Sequence, residues 1–249
     1  MKITWIHMPK FKKDTLSNFW YHYKFHTLFG IFFAVVIVSF AYSMLTKVEP
    51  DLQLYFVGNP PIEQNVVEKP LQKELEKNLK DATDDEESHL QIVTYNFADG
   101  YQITEKGREE GIGTEVDLTT SADADKTAFS AVMVNINAGD PALYITDREF
   151  VELRMREGVF ASLDTLKNFK YNTIEEIKGE NEQDKGKEHV FAISVEGNTL
   201  LEKCGIDTTG KFIAVRVILG DQKGIESCKI MYDNAIATLR HIVKYNPKP

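Results

Sequence analysis

The sequence predicts an α/β protein, in which an N-terminal transmembrane helix precedes a single, mainly parallel, three-layer α/β domain. Two observations predict this fold class. Residues 27–46 form an apolar run without charge or proline, which has the length that crosses a bilayer as a helix. Beyond residue 50, short apolar runs alternate with segments of helical periodicity. Such alternation favours parallel strands with helices on both faces of the sheet.

The N-terminal segment indicates how the predicted transmembrane helix is oriented. Residues 1–26 contain five lysines and one acidic residue, whereas the whole chain has a net charge of −9. Lysines before the span favour a cytoplasmic N-terminus, and the aromatic-rich residues 19–25 are typical of a membrane interface. We therefore expect a cytoplasmic segment at 1–26, a helix in contact with the lipid bilayer at 27–46, and an extracellular domain at 47–249. The acidic domain gives no support for nucleic-acid binding.

Two alternatives to a retained membrane anchor stay open from the sequence. The apolar run could be a buried core helix, although a core helix of this length usually carries polar residues. It could also be a cleaved signal peptide, because Ala41, Tyr42 and Ser43 offer a plausible cleavage spacing. The length of the run and of the segment before it favour the anchor.

The first half of the domain is predicted from short apolar runs, which indicate strands, and from apolar residues at helical spacing. In chain order it contains a strand at 51–58, a helix at 62–80 interrupted by Pro70, an acidic loop at 81–88, a strand at 90–97, a loop or hairpin at 98–120, a helix at 121–137 ended by Gly139, and a strand at 141–146. The acidic loop lacks the spacing of a calcium-binding loop, so we interpret it as a solvated charged run.

The second half of the domain follows from the same patterns, together with helix caps and glycine stops. In chain order it contains a helix at 148–157 capped by Asp147 and stopped by Gly158, a helical turn at 164–169, a mobile surface loop at 177–187, a strand at 189–195, a helix at 199–204 closed by Gly205, a strand at 211–219, and an amphipathic helix at 224–245. The loop at 177–187 is predicted from its glutamate, lysine and glycine content.

The sequence assigns no catalytic, metal-binding or cofactor-binding residue, and we expect the protein not to be an enzyme. The six histidines have no spacing typical of metal ligands. The GxSxG, P-loop and GxGxxG motifs are absent from the sequence. Glu175 and Glu176 are adjacent in a charged run, which does not indicate a catalytic carboxylate pair.

The two cysteines, Cys204 and Cys228, have two open interpretations. A disulfide between them would close a loop of about 25 residues and could stabilise the fold by about 3 kcal/mol. Alternatively, both could be small buried thiols, which is the interpretation we favour.

Three segments in order resemble the extracellular solute-binding proteins of bacterial ABC importers, in the sugar-binding group. They are AGDPALYITDREFVELRMREGVFASLD at 138–164, VFAISVEGNTLLEKCGID at 190–207 and FIAVRVILGDQKGIESCKIMYDNAIATL at 212–239. The resemblance covers most of 51–245 and implies the type II periplasmic-binding-protein fold. Members of this family have two lobes that close on a solute, whereas about 200 residues here leave room for about one lobe. Ligand-binding residues are therefore not carried over and stay unknown.

The missing lobe favours one of two functions. We expect a membrane-anchored, non-catalytic interaction module that contacts another protein outside the membrane. The alternative is a solute-binding receptor or an accessory subunit of an ABC-type importer. In that case, a homodimer could restore a two-lobed cleft.

Overall fold

The computed structural model describes residues 13–45, 49–58, 64–96, 102–103, 116–117, 123–139, 141–180 and 186–248. The chain divides into two compact units, Met1–Val48 and Glu49–Pro249.

The described part of the N-terminal unit is one helix, α1 (Lys13–Leu45), of 33 residues. At 1.5 Å per residue it is about 50 Å long. Its stretch Phe19–Met44 is long and apolar enough to cross a membrane, and none of it is buried within the protein. A core helix would be buried, so the remaining interpretations of this helix are a membrane span and a signal sequence.

The C-terminal unit is an α/β domain. Its described strands and helices, in chain order, are β1 (Leu52–Gly58), α2 (Gln64–Glu76), β2 (Leu90–Asn96), β3 (Gln102–Ile103), β4 (Val116–Asp117), α3 (Asp123–Ala138), β5 (Ala142–Asp147), α4 (Arg148–Arg156), β6 (Glu176–Gly179), β7 (His189–Ser194), α5 (Thr199–Lys203), β8 (Lys211–Val215) and α6 (Glu226–Val243). Short 3-10 helices lie at Leu163–Thr165 and Gln222–Gly224.

Six of these strands form one mixed sheet in the order β2-β1-β5-β8-β7-β6. β1 is parallel to β2 and to β5, whereas the pairs β5–β8, β7–β8 and β6–β7 are antiparallel. The prediction of a mainly parallel sheet is therefore wrong. Helical crossovers join β1, β2 and β5, as parallel pairing requires, whereas β6 and β7 are consecutive strands joined by a short connection, which favours antiparallel pairing.

Helices cover both faces of the sheet and give the three layers that the sequence predicts. One core cluster joins the sheet to α2, α5 and α6 through residues such as Leu71, Leu201 and Leu239. The other joins the opposite face to α3 and α4 through residues such as Phe129 and Phe150. The alternation of side chains along the central strands supplies both clusters, because successive residues point to opposite faces.

The acidic loop at 81–88 has no regular secondary structure, as predicted, and residues 84–87 are exposed. Its backbone is nevertheless held by hydrogen bonds to a carboxylate. The fully buried Asp51 accepts the N–H groups of Ala82 at 2.6 Å and of His89 at 2.7 Å. These bonds fix the loop beside the start of β1.

Most of the predicted elements lie within a few residues of the observed ones, but the mobile loop predicted at 177–187 is wrong in its first part. Glu176–Gly179 is the edge strand β6, and Ile177 is buried in the core. A four-residue strand with one buried apolar side chain is too short to give a clear alternation. Residues 181–185 lie outside the described residues. The hairpin option at 98–120 is confirmed by the antiparallel pair of β3 and β4.

Candidate functional site

The sheet topology points to one edge of the domain as a binding site. β1 leads to β2 through α2 on one face, and β2 leads to β5 through α3 on the other face. The strand order therefore reverses between β1 and β5, and open α/β sheets bind ligands beyond the strand carboxyl ends at such a point. We call this side the carboxyl edge. Its strand ends are Gly58, Asn96, Asp147, Ser194, Glu176 and Lys211.

A buried ion pair lies next to the point of reversal. Lys211 Nζ is 2.5 Å from Asp147 Oδ1, and the two side chains are 2% and 24% exposed. These residues face each other across β5 and β8, and a lysine buried this deeply requires such a partner. Asp147 occupies the N-cap position of α4 but makes no side-chain capping hydrogen bond. The predicted N-cap position is therefore confirmed, but the carboxylate binds Lys211 rather than the backbone of α4.

Gly58 lets the end of β1 approach this ion pair. Its φ is +150°, a backbone conformation that side-chain-bearing residues rarely adopt. A Cβ atom at this position would lie 2.2 Å from Asp147 Oδ2 and 3.0 Å from Lys211 Nζ. Because Gly58 has no side chain, the end of β1 can lie against the Asp147–Lys211 pair of β5 and β8.

Arg148 connects the start of α4 to the start of β6. Its guanidinium carbon lies 5.0 Å from the centroid of the Phe212 ring. The guanidinium binds Glu152 at 3.1 Å and also pairs with Glu175. Partial burial acts to lower the pKa of Arg148, but its hydrogen bonds and charge interactions with the two glutamates outweigh burial and raise it. Arg148 is therefore a fixed cation at this edge.

An open groove with a volume of about 410 Å³ lies beside β6 at the same edge. Its lining residues are Thr173, Ile174, Glu175, Glu176 and Lys178. Ile174 is 53% exposed, so the groove presents an apolar side chain among charged ones. The Thr173 hydroxyl donates to the Glu175 carbonyl oxygen at 2.7 Å, which fixes the turn before β6.

The charges of the groove are set by hydrogen bonds around Glu176. Lys178 Nζ lies 2.8 Å from Glu176, and the Tyr171 hydroxyl donates to the same carboxylate at 2.8 Å. The bond from Lys178 is the main reason that the pKa of Glu176 is lowered. Burial, followed by the interaction with Glu176, raises the pKa of Tyr171. At neutral pH Glu176 in the groove is therefore ionised, and its hydrogen-bond partner Tyr171 is neutral.

A buried asparagine supports the carboxyl edge from the α5–α6 face. Asn198 Oδ1 accepts the N–H groups of Leu200 and Leu201, both at 3.1 Å, and so caps α5. Its Nδ2 donates to the Ile242 carbonyl oxygen at 2.9 Å and to Asn246 Oδ1 at 2.6 Å. Every polar atom of this side chain is thus used, and α5 is tied to the end of α6.

Asn246 extends this support to the groove. Its Nδ2 donates to the carbonyl oxygens of Asn172 and Ser194, each at 2.9 Å. Ser194 ends β7, and Asn172 directly precedes the groove residue Thr173. The segment after α6 therefore holds the backbone on which the groove is built.

The sequence interpretation missed these pairs because their members are far apart in the chain. Asp147 and Lys211, for example, are 64 positions apart. The sequence did contain one indication of this edge, since polar residues directly after or before a buried strand mark the edge of a sheet.

A histidine–aspartate pair lies on the opposite edge of the sheet. His189 Nδ1, at the start of β7, is 2.9 Å from Asp164 Oδ2. In the described part of the chain, no cluster of three or more histidine, cysteine or acidic side chains could hold a metal ion.

Both cysteines are free thiols in the structure, Cys204 buried and Cys228 half-buried. Burial, together with the nearby charge of Glu74, raises the pKa of the Cys204 thiol.

No protein-family model, curated protein or solved structure matches the chain. The resemblance to solute-binding proteins therefore stays a prediction.

Proposed function

We propose that the chain is a membrane-anchored, non-catalytic interaction module that binds a protein partner outside the membrane through its carboxyl edge. The observation that carries this proposal is the open groove beside β6, in which the exposed Ile174 lies among charged side chains. Protein interfaces combine an apolar anchor with a polar rim. A small solute, in contrast, is usually buried over most of its surface.

The membrane anchor is supported by α1 and by the charges that precede it. The apolar stretch Phe19–Met44 has the length of a span. The excess of lysine before it favours a cytoplasmic N-terminus, which would leave the domain on the outer side of the membrane.

The fixed geometry of the edge also supports binding to a partner. Arg148 is held by two glutamates, and Glu176 by Tyr171 and Lys178. Side chains that are already ordered lose little conformational entropy when a partner binds. The edge can therefore present its charges without a large ordering cost.

A second candidate function, solute binding for an ABC-type importer, is favoured by the reversal of strand order between β1 and β5. Gly58 and the Asp147–Lys211 pair lie there, where open α/β sheets bind small ligands. The sequence resemblance supports the same candidate. Since a single lobe would leave a solute half exposed, this function would require a second copy of the domain.

Site-specific photo-crosslinking of the full chain in the membranes of its native host tests the first candidate. A photoreactive residue replaces Ile174 in the groove, and the control replaces Val134, which is 65% exposed on α3. We expect a protein adduct of one defined mass from position 174 and none from position 134. Lys178→Glu should weaken the adduct, because Lys178 is an exposed charge of the groove. Equal adducts from both positions would contradict the proposal.

A thermal-shift screen of the full chain in detergent tests the second candidate. A solute that binds only the folded state raises the melting temperature in proportion to the logarithm of its concentration above Kd. The shift should disappear in Asp147→Asn while the far-UV circular dichroism spectrum stays unchanged. Retention of the shift in this variant would place the solute away from the carboxyl edge.

A further inference from the structure

We propose that the N-terminal part of α1 binds the anionic headgroups of phospholipids in the leaflet that it enters. This inference rests on the proposed membrane anchor and names the lipid chemistry that the anchor prefers. Its basis is the depth, the side chains and the charge of the residues before the apolar run at 27–46.

The length of α1 places these residues at the depth of the headgroups. Residues 27–44 would span about 27 Å as a helix, which nearly fills a hydrocarbon core of about 30 Å. The apolar stretch Phe19–Met44 has 26 residues, or about 39 Å, close to the 40–45 Å of a bilayer with its headgroups. Because α1 is one unbroken helix, residues 19–26 continue directly from the hydrocarbon into the headgroup layer.

The side chains at this depth suit a headgroup layer. Trp20, Tyr21 and Tyr23 are 53%, 76% and 53% exposed on α1, and amphipathic rings of this kind favour the membrane interface. Lys24 Nζ lies 5.4 Å from the centroid of the Phe25 ring, so a cation is present among the aromatic side chains. A lipid phosphate can bind this cation while its glycerol and acyl groups pack against the rings.

The charge of the segment selects anionic lipid over zwitterionic lipid. The sequence has five lysines before the apolar run at 27–46, and Asp14 is the single acidic residue before Glu49. A lysine close to an anionic membrane surface changes lipid affinity about fivefold, which is about 1 kcal/mol. After residues 27–46, Lys47 is the one basic residue close to the C-terminal end of the run. The preference should therefore be strong at the N-terminal end and weak at the other end.

Tryptophan quenching by brominated lipids tests this inference. The chain has two tryptophans, so Trp5→Phe leaves Trp20 as the single fluorophore. The full chain is reconstituted in vesicles of phosphatidylcholine and phosphatidylglycerol, in which one lipid or the other is brominated near the glycerol. Both leaflets have the same composition, so the orientation of the protein does not affect the result. We expect quenching of Trp20 to report a threefold to fivefold preference for phosphatidylglycerol, falling toward one in 0.5 M salt.

Two variants separate charge from simple insertion. Replacing Lys10, Lys12, Lys13 and Lys24 with glutamine should bring the preference close to one while quenching persists. In the matched control, Trp5→Phe and Trp20→Phe are combined with Tyr42→Trp to report from the far end of α1, where we expect little preference. Equal quenching of Trp20 by both lipids, or an unchanged preference in the glutamine variant, would overturn the inference and leave the anchor intact. Absence of quenching by either lipid would instead overturn the anchor.

Discussion

Asn198→Ala should destabilise the domain strongly, because this one side chain makes four hydrogen bonds in a fully buried position. Loss of the cap of α5 costs about 1–2 kcal/mol. The Ile242 carbonyl oxygen and the Asn246 amide lose a donor, and an unsatisfied buried polar group costs about 1–3 kcal/mol. Since these effects are not independent, we expect a loss of about 3–5 kcal/mol in the free energy of unfolding.

Two matched variants divide this loss into its causes. Asn198→Ser keeps an oxygen that can cap α5 but loses both Nδ2 bonds, so it should recover about 1 kcal/mol relative to alanine. Thr199→Ala alters the next residue, which is exposed and whose hydroxyl makes a 3.5 Å contact with the Tyr245 carbonyl oxygen. This substitution should change stability by less than about 0.5 kcal/mol.

The assay is urea unfolding of the full chain in mild detergent, followed by the near-ultraviolet circular dichroism of the tyrosines. Tryptophan fluorescence is unsuitable, because Trp5 and Trp20 both lie outside the domain. The slope of the unfolding free energy with urea should stay constant while the midpoint falls. A loss below about 1 kcal/mol for Asn198→Ala, or one equal to that of Thr199→Ala, would refute the reasoning.

Three further predictions concern a strand end, a histidine and the thiols. Gly58→Ala should lose at least about 2 kcal/mol of stability because its Cβ would collide with the Asp147 carboxylate. Gly220→Ala, with no atom within 4 Å of its Cβ, should be nearly neutral, and equal midpoints of urea unfolding would contradict this contrast. Burial, aided by the charge of Lys244, lowers the pKa of His241 below its ordinary value of 6.5. The unfolded state therefore binds a proton more readily, and the free energy of unfolding should decrease as the pH falls below 6.5. Urea midpoints between pH 5 and 8 should show a smaller decrease in His241→Gln, and identical profiles would contradict the assignment. Iodoacetamide should label the half-buried Cys228 faster than the buried Cys204. The Cys204→Ser variant reports the labelling rate of Cys228, and Cys228→Ser reports that of Cys204. Equal labelling rates would contradict the prediction.

The elements of the fold could be predicted from the sequence where the pattern was long, and not where it was short. The strand at β1 and the helix at α6 have seven and eighteen residues, enough for buried positions to recur. β6 has four residues with one buried side chain, and its charges made it resemble a loop. Strand direction could not be predicted either, because the same alternation of apolar and polar residues occurs in parallel and antiparallel strands.

The candidate site was less predictable than the fold because its chemistry depends on contacts between distant residues. Asp147 has the sequence signature of a helix cap, and only the position of Lys211 on the neighbouring strand shows why its carboxylate does not cap α4. Arg148 and Glu175 belong to segments that the sequence separates by an entire helix and a 3-10 turn. Their ion pair becomes visible only once β6 is recognised as a strand.

The mixed direction of the strands decides which charges lie together at the carboxyl edge. If β6 and β8 were parallel to β1, their amino ends would lie at the opposite edge, and Lys211 and Glu176 would be about one strand length away from Asp147 and Ser194. Because both strands run in the opposite direction, the basic start of β8 faces the acidic end of β5. In the same way, the acidic start of β6 lies beside the end of β7 and within reach of Arg148. The three antiparallel pairs therefore bring these charges to the same edge of the sheet as Ile174, and the proposal of a partner-binding edge depends on that reversal of direction more than on the helices that cover the sheet.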